Sequence, residues 1–209
     1  MGSEMCIRDR CRAELEMSTM MDVLSEYADM RIGDVAMTAE EYRNEIDRLM
    51  TLSNGEKILN GSADHAAIII ERMLHRGKNS IKILTRSFTP NIYANSMLIS
   101  AAQAFLSGGK QLSIIVEDDT NVRGGFHAFF HQIKGYSNLD VRHLNPKFAS
   151  IVNTNFSVRD NTDIRVSDEV DSMQAVAAFG DTIEAKKLSQ YFDKLKAISP
   201  KIKYNAIYN

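Results

Sequence analysis

Cysteine is scarce in this chain. The two present, Cys6 and Cys11, both sit at the extreme N-terminus, too few and too local for a disulfide framework or a metal cluster. Long apolar runs are missing too. Nothing approaches the roughly 18 residues that a membrane span needs, and the opening residues lack the apolar core of a signal peptide. A cytoplasmic protein with no membrane attachment is therefore expected. Strong net charge is also lacking: the balance is -2, which gives no global pull toward nucleic acid. What remains is 209 residues, 44% hydrophobic and 25% charged, a composition that suits one α/β domain with an extra segment.

The distribution of charge is more informative than its sum. From Cys11 to Asn60 there are five basic and eleven acidic side chains, and the residues from Gly61 onward carry a small basic excess. This predicts an acidic helical head, solvated and packed on the surface of a mildly basic body. Residues 1–10, "MGSEMCIRDR", resemble a translated sequencing adapter and are set aside from the fold, with Met17, Met20 or Met21 as the expected native start. The segments expected are thus 1–10 as artefact, 11–60 as helical head, 61–199 as α/β body and 200–209 as tail.

Apolar spacing predicts a helix over Ser18 to Met30 and a second one opened by Thr38, with Glu41 as its capping-box partner and Tyr42, Ile46, Leu49 and Met50 on one face. Asn54-Gly55 marks a turn before "KILN", a short strand. Ser62 caps "ADHAAIIIERMLHR", which Gly77 ends. "SIKILTRSF" reads as a strand. Pro90 opens a helix with the stripe Ala94, Met97, Leu98, Ala101 and Phe105, and "QLSIIVE" follows as a buried strand. A helix around Phe126 to Lys134 precedes the strand "LDVRHL". Then come two strands in "NTNFSVRDNTDIRV", the strand "QAVAAFG", and a last helix with Ile183, Leu188, Phe192 and Leu195 inward. Strands separated by helical crossovers predict a mixed, mostly parallel sheet with helices on both faces. Ligands on such sheets gather beyond the strands' carboxyl ends, where Thr85, Arg86, Ser87, Glu117, Asp118 and Asp119 would stand.

From Ser62 to Ile198 this order of elements resembles the phospholipase D-like superfamily. "SIKIL", "QLSIIVEDD", the strand-turn-strand "NTNFSVRDNTDIRV" and the closing "DTIEAKKLSQYFDKL" stand where that superfamily has its corresponding elements. Its motif is His-x-Lys-x4-Asp: the histidine attacks a phosphodiester, the lysine binds the phosphate, and two copies face each other in one active site. That spacing, ending at Asp160, puts Asn153 at the histidine and Asn155 at the lysine. Asparagine is neither a nucleophile at phosphorus nor a cation. The resemblance therefore implies a catalytically inactive domain acting as a binding or regulatory module in microbial stress or phage defence. It implies a homodimer, a phosphate-containing ligand or a partner protein, and no cofactor. Arg86, Ser87, Asp118, Asn153, Asn155, Asp160 and Arg165 are the candidate ligand-binding residues; no catalytic or metal residue is assigned.

Other constellations have plainer readings. His127 and His131 would share a helix face, as zinc ligands do, but lack a third ligand and read as a polar face. Asp160 and Arg165 read as an ion pair across a hairpin. His65, in a helix's first turn, is expected to be neutral because the helix dipole disfavours a cation there. Two alternatives stand beside the inactive module. One is a divergent metal-dependent phosphodiesterase or nuclease using Glu117, Asp118 and Asp119. The other is a protein-interaction module docking through the acidic head.

Overall fold

Thr38 opens the first helix as its spacing to Glu41 predicts. The Thr38 hydroxyl accepts from the Glu41 N–H at 3.2 Å, and the Glu41 carboxylate accepts from the Thr38 N–H at 2.8 Å. This helix, α1 (Ala39–Leu52), buries Tyr42, Ile46, Leu49 and Met50. After it come β1 (Lys57–Asn60), α2 (Ala63–Arg76), β2 (Ser80–Thr85), α3 (Ser96–Ser107), β3 (Gln111–Val116), α4 (Ala128–Ile133), β4 (Leu139–His143), β5 (Asn155–Arg159), β6 (Asp163–Ser167), β7 (Ala175–Phe179) and α5 (Thr182–Ile198), with single helical turns at Pro90–Tyr93, Thr120–Arg123 and Pro146–Ala149. The computed structural model describes residues 37–123, 128–149, 152, 154–167 and 174–202. The helix expected over Ser18 to Met30, and Asn153 and His127, lie outside them.

The seven strands form one mixed sheet in the order β1-β7-β6-β5-β2-β3-β4. The α/β class and the mixed sheet are as expected, but the balance of pairings differs. Only β2–β3 and β3–β4 are parallel; β1–β7, β2–β5, β5–β6 and β6–β7 are antiparallel. Crossover helices α3 and α4 enforce the parallel half, and the tight β5–β6 hairpin together with β1 makes the rest antiparallel. Helices α1 to α4 pack over one face in a single apolar cluster. On the other face lies α5, where Phe192 meets Phe156 of β5 and Asp193 holds Lys82 of β2 at 2.7 Å.

The acidic residues of α1 turn inward as well as outward. Asp47 pairs with Arg72 and, at 3.1 Å, with Arg76 of α2. Tyr42 is 2% exposed and its hydroxyl donates to Leu59 O at 2.9 Å. Helix α1 and strand β1 are thus built into the same unit, 36–209, as the rest of the sheet, rather than resting on its surface. At the far edge, residues 200–202 cover β4: the His143 N–H donates to Pro200 O and the Ile202 N–H to Val141 O, both at 3.0 Å.

Two helix readings are corrected. The helix expected to run on from Pro90 is broken by Asn95, whose Oδ1 accepts from the N–H groups of Met97 and Leu98 and starts α3 afresh. The buried stripe accordingly shifts to Leu98, Ala101, Ala102, Phe105 and Leu106, leaving Met97 50% exposed. In α5, Ile183 points outward at 67% exposure while Ala185, Leu188, Phe192 and Leu195 are buried. Ile183 stands five positions before Leu188, which turns it well off the inward face of a helix with 3.6 residues per turn.

Candidate ligand-binding cleft

Strands β5 and β6 alternate strictly, and it is the polar side that faces α2. Phe156, Val158, Ile164 and Val166 occupy the face toward α5. Asn155, Ser157, Arg159, Asp163, Arg165 and Ser167 occupy the other, with Asn155 opposite Ser167, Ser157 opposite Arg165 and Arg159 opposite Asp163. All six are buried except Asn155, which is half-buried. A buried polar face must be paired within the protein, and the two ends of this one are paired differently.

At the turn end, Arg159 forms an ion pair with Asp163, donates to Arg76 O at 2.9 Å, and Asp163 also accepts from the Gly180 N–H at 3.0 Å. Asp160 and Asn161 both have positive φ, 50° and 57°, in the three-residue connection, 160–162, that joins the strands, a conformation that Asp and Asn tolerate. The Asp160 carboxylate accepts from the backbone N–H groups of Lys78, Asn79 and Ser80 at 2.6–2.8 Å. It fastens the start of β2 to the hairpin. The expected Asp160–Arg165 pair is therefore not formed, because backbone donors saturate the carboxylate and Arg165 points to the other end.

At that other end, an open cleft of about 160 Å³ lies beyond the carboxyl end of β2. Of the expected candidates, Arg86, Ser87, Asn155 and Arg165 line it, while Asp118 and Asp160 do not; Asn153 lies outside the described residues. The Asn155 Oδ1 accepts from the Arg86 N–H at 2.7 Å, and the Arg86 carbonyl accepts from the Asp118 N–H at 2.7 Å, so the loop after β2 is clamped from both sides. The Asp118 carboxylate accepts from the Thr120 hydroxyl and N–H, which hold it below the usual carboxylate range. Asp119 lies 3.1 Å from Nδ1 of His143. Among the described residues no three His, Cys, Asp or Glu side chains gather as a metal would require.

Arg165 forms the floor of the cleft and is 6% exposed. Its Nε donates to Asn60 Oδ1 at 2.9 Å; Asn60 Nδ2 donates in turn to the carbonyl of Ser62, the residue that caps α2. The ionisable groups that bear on it among the described residues are Tyr93 and Tyr42. Burial pushes both phenols upward, so both stay neutral and neither offsets the guanidinium charge. Burial likewise pushes Arg165 below the usual arginine range. The chain thus holds two buried arginines on one polar face, one matched by a carboxylate and one facing a cleft.

Sequence reasoning passed over Asn60, Tyr93, Ser157 and Ser167. The two serines were visible in the alternation of β5 and β6. Asn60 and Tyr93 come from distant elements, and nothing in their local sequence marks them. His65 stacks flat on Tyr42, with centroids 3.7 Å apart, and its basicity is lowered, by burial rather than by the helix dipole from which neutrality was expected.

Comparison with solved structures finds the same architecture in several proteins. NucT from Helicobacter pylori matches with a TM-score of 0.55 at 16% identity, over 70% of this chain and 99% of that one. Nuc from Salmonella typhimurium, a phospholipase D family member, matches with a TM-score of 0.55 at 15% identity, over 72% and 99%. TrmBL2, an archaeal chromatin protein, matches with a TM-score of 0.55 at 11% identity, over 95% of this chain and 67% of its own. These likenesses establish a phospholipase D-like fold. No curated protein matches the sequence. Residues 62–202 match the model of the family described as "Domain of unknown function (DUF7931)", and the chain belongs to that family.

Proposed function

We propose that this chain is a catalytically silent phospholipase D-like domain that binds a phosphate-containing ligand in the cleft after β2, as a binding or regulatory module. One observation carries this reading. Asn155, at the place where the family resemblance calls for the phosphate-binding lysine, uses its side-chain oxygen to fix the Arg86 N–H at 2.7 Å. A carboxamide in that role neither attacks phosphorus nor supplies positive charge. The cations bordering the cleft come instead from Arg86 and Arg165. The reading is a fold of phosphodiester chemistry kept for recognition, with a homodimer as the assembly that the resemblance implies.

The test is a hydrolysis screen of bis(p-nitrophenyl) phosphate and of single- and double-stranded DNA, with and without Mg²⁺ or Mn²⁺. The expected result is no turnover above buffer under any condition. Metal-dependent turnover that disappears in Asp118→Ala would overturn the reading and favour a divergent phosphodiesterase acting through the acidic strand end.

A further inference from the structure

The cleft's shape and charge say more about the ligand than that it carries phosphate. A guanidinium has five N–H donors in a planar fork. Arg165 gives one, at Nε, to Asn60, and among the described residues no carboxylate lines the cleft it borders. Stripping such a charge from water is unfavourable unless an anion meets it. Arg159, two positions away across the ladder, shows the ordinary solution in the same chain, a buried aspartate. At Arg165 the place of that aspartate is taken by open space, lined among others by the hydroxyl-bearing residues Ser87, Thr89, Ser157 and Ser167. Hydroxyls and a guanidinium are the donor set that tetrahedral oxyanions accept from.

Size narrows the choice. About 160 Å³ is well below the ~300 Å³ at which pockets begin to enclose a whole drug-sized ligand. One phosphoryl group fits, and whatever bears it stays outside. An internal phosphodiester must lead its chain out on two sides and offers two unsubstituted oxygens with one negative charge. A terminal phosphate leads out on one side and offers three oxygens with about two charges at neutral pH. In a site of low dielectric that difference in charge and acceptor number counts strongly.

We propose that the cleft is a receptor for the terminal phosphate of a phosphomonoester, anchored on Arg165, and that it discriminates against phosphodiesters. This rests on the reading of the chain as a phosphate-binding module and deepens it. Arg165 comes from β6, not from the strand that carries the mapped family motif, so the anchor has changed strand as well as residue type. Its geometry is set by Asn60 at the end of β1, which makes Asn60 a positioning residue for the anion.

The experiment uses the full chain and three small probes of nearly equal size: inorganic phosphate, methyl phosphate and dimethyl phosphate. Binding is read by calorimetry and by amide shifts of Arg86, Ser157 and Ser167 in NMR spectra. Phosphate and methyl phosphate are expected to bind, and dimethyl phosphate to bind weaker by about tenfold or more. In Arg165→Met, affinity for the first two should fall by at least about tenfold while the variant keeps its cooperative melt. Arg165→Lys, which keeps charge but not the fork, should recover only part of the loss. Equal binding of dimethyl phosphate would overturn the monoester inference and leave the phosphate-binding reading standing. Binding unchanged in a folded Arg165→Met would overturn Arg165 as anchor. No binding of any probe would overturn the inference and the underlying reading together.

Discussion

Arg159 and Arg165 make a controlled comparison inside one chain, since both are buried on the same face of the same hairpin. Arg159 has Asp163 and a helix-end carbonyl, so removing it would leave a buried carboxylate unmatched. Among the described residues Arg165 has only the Asn60 carboxamide and two neutral phenols. A charge kept in that position weakens the unliganded fold. Arg165→Met, close in length and apolar, should therefore leave urea stability unchanged or raise it by about 1 kcal/mol, against a loss of several kcal/mol for Arg159→Met. The two urea midpoints measured side by side decide this, and a large loss in Arg165→Met would mean that the residue is structural. Asp160 gives the converse case. It matches the family motif, yet its carboxylate caps three backbone N–H groups and lies roughly 16 Å along β5 from Asn155. Asp160→Ala should cost about 2 kcal/mol in urea denaturation, while the affinity of the folded protein for inorganic phosphate stays as in the parent chain. Motif spacing identified the residue, but only the turn geometry shows that its work is at the wrong end of the strand for ligand chemistry.

At the scale of elements, the local sequence was legible wherever a cap or stop acted over three or four residues. Thr38 with Glu41, Ser62 and Gly77 all bound their helices as read. Asn95 was missed because it sits inside a continuous apolar pattern, where a capping side chain looks like a surface residue. The alternation in β5 and β6 was equally plain, but its direction was not. Whether a polar face turns to solvent or to the interior depends on what packs over it, and α1 and α2 are remote in sequence. Two joints between elements can be probed. Gly180 has φ 89°, and a Cβ there would come within 2.2 Å of Ser53 O, at the end of α1. Gly180→Ala must move the α1–β1 connection or the end of β7, so its urea midpoint should drop by the equivalent of about 2 kcal/mol or more. The second joint is the His65–Tyr42 stack between α2 and α1. Burial lowers the His65 pKa from its ordinary value of 6.5, and its buried Nδ1 has no hydrogen-bond partner among the described residues. The unfolded chain therefore takes up this proton more readily than the folded one. The stabilisation from neutral His65 is complete above pH 6.5 and is lost as pH falls through the unfolded value toward the lowered folded one. His65→Phe should keep the stack and lose less stability than the parent between neutral pH and about pH 5.5, measured as the shift of the urea midpoint.

At the scale of the whole molecule, the boundary of the family match and the boundary of the fold do not coincide. The match begins at Ser62, just after an acidic stretch that composition alone marks as a separate head. Yet Tyr42, Ile46 and Leu49 are each at most 2% exposed within the main core, and β1 closes the sheet by pairing with β7 along its whole length. Asn60, the partner of Arg165, is the last residue of that strand. Removing α1 would uncover apolar side chains of α2 as well as losing its own, and each large side chain taken from a core costs about 2–5 kcal/mol, against the 5–15 kcal/mol by which whole domains are stable. A chain lacking Ser18 to Ser53 is therefore expected to lose its cooperative melt and dispersed amide spectrum. If the acidic head is instead a docking arm for a basic partner, the same deletion should leave the body folded, with sharp, dispersed NMR signals and unchanged phosphate affinity. The two outcomes differ in a single spectrum. The packing of Tyr42 and Ile46 favours the first: α1 is part of the core of the domain, and through Asn60 the strand after it positions the cation in the cleft.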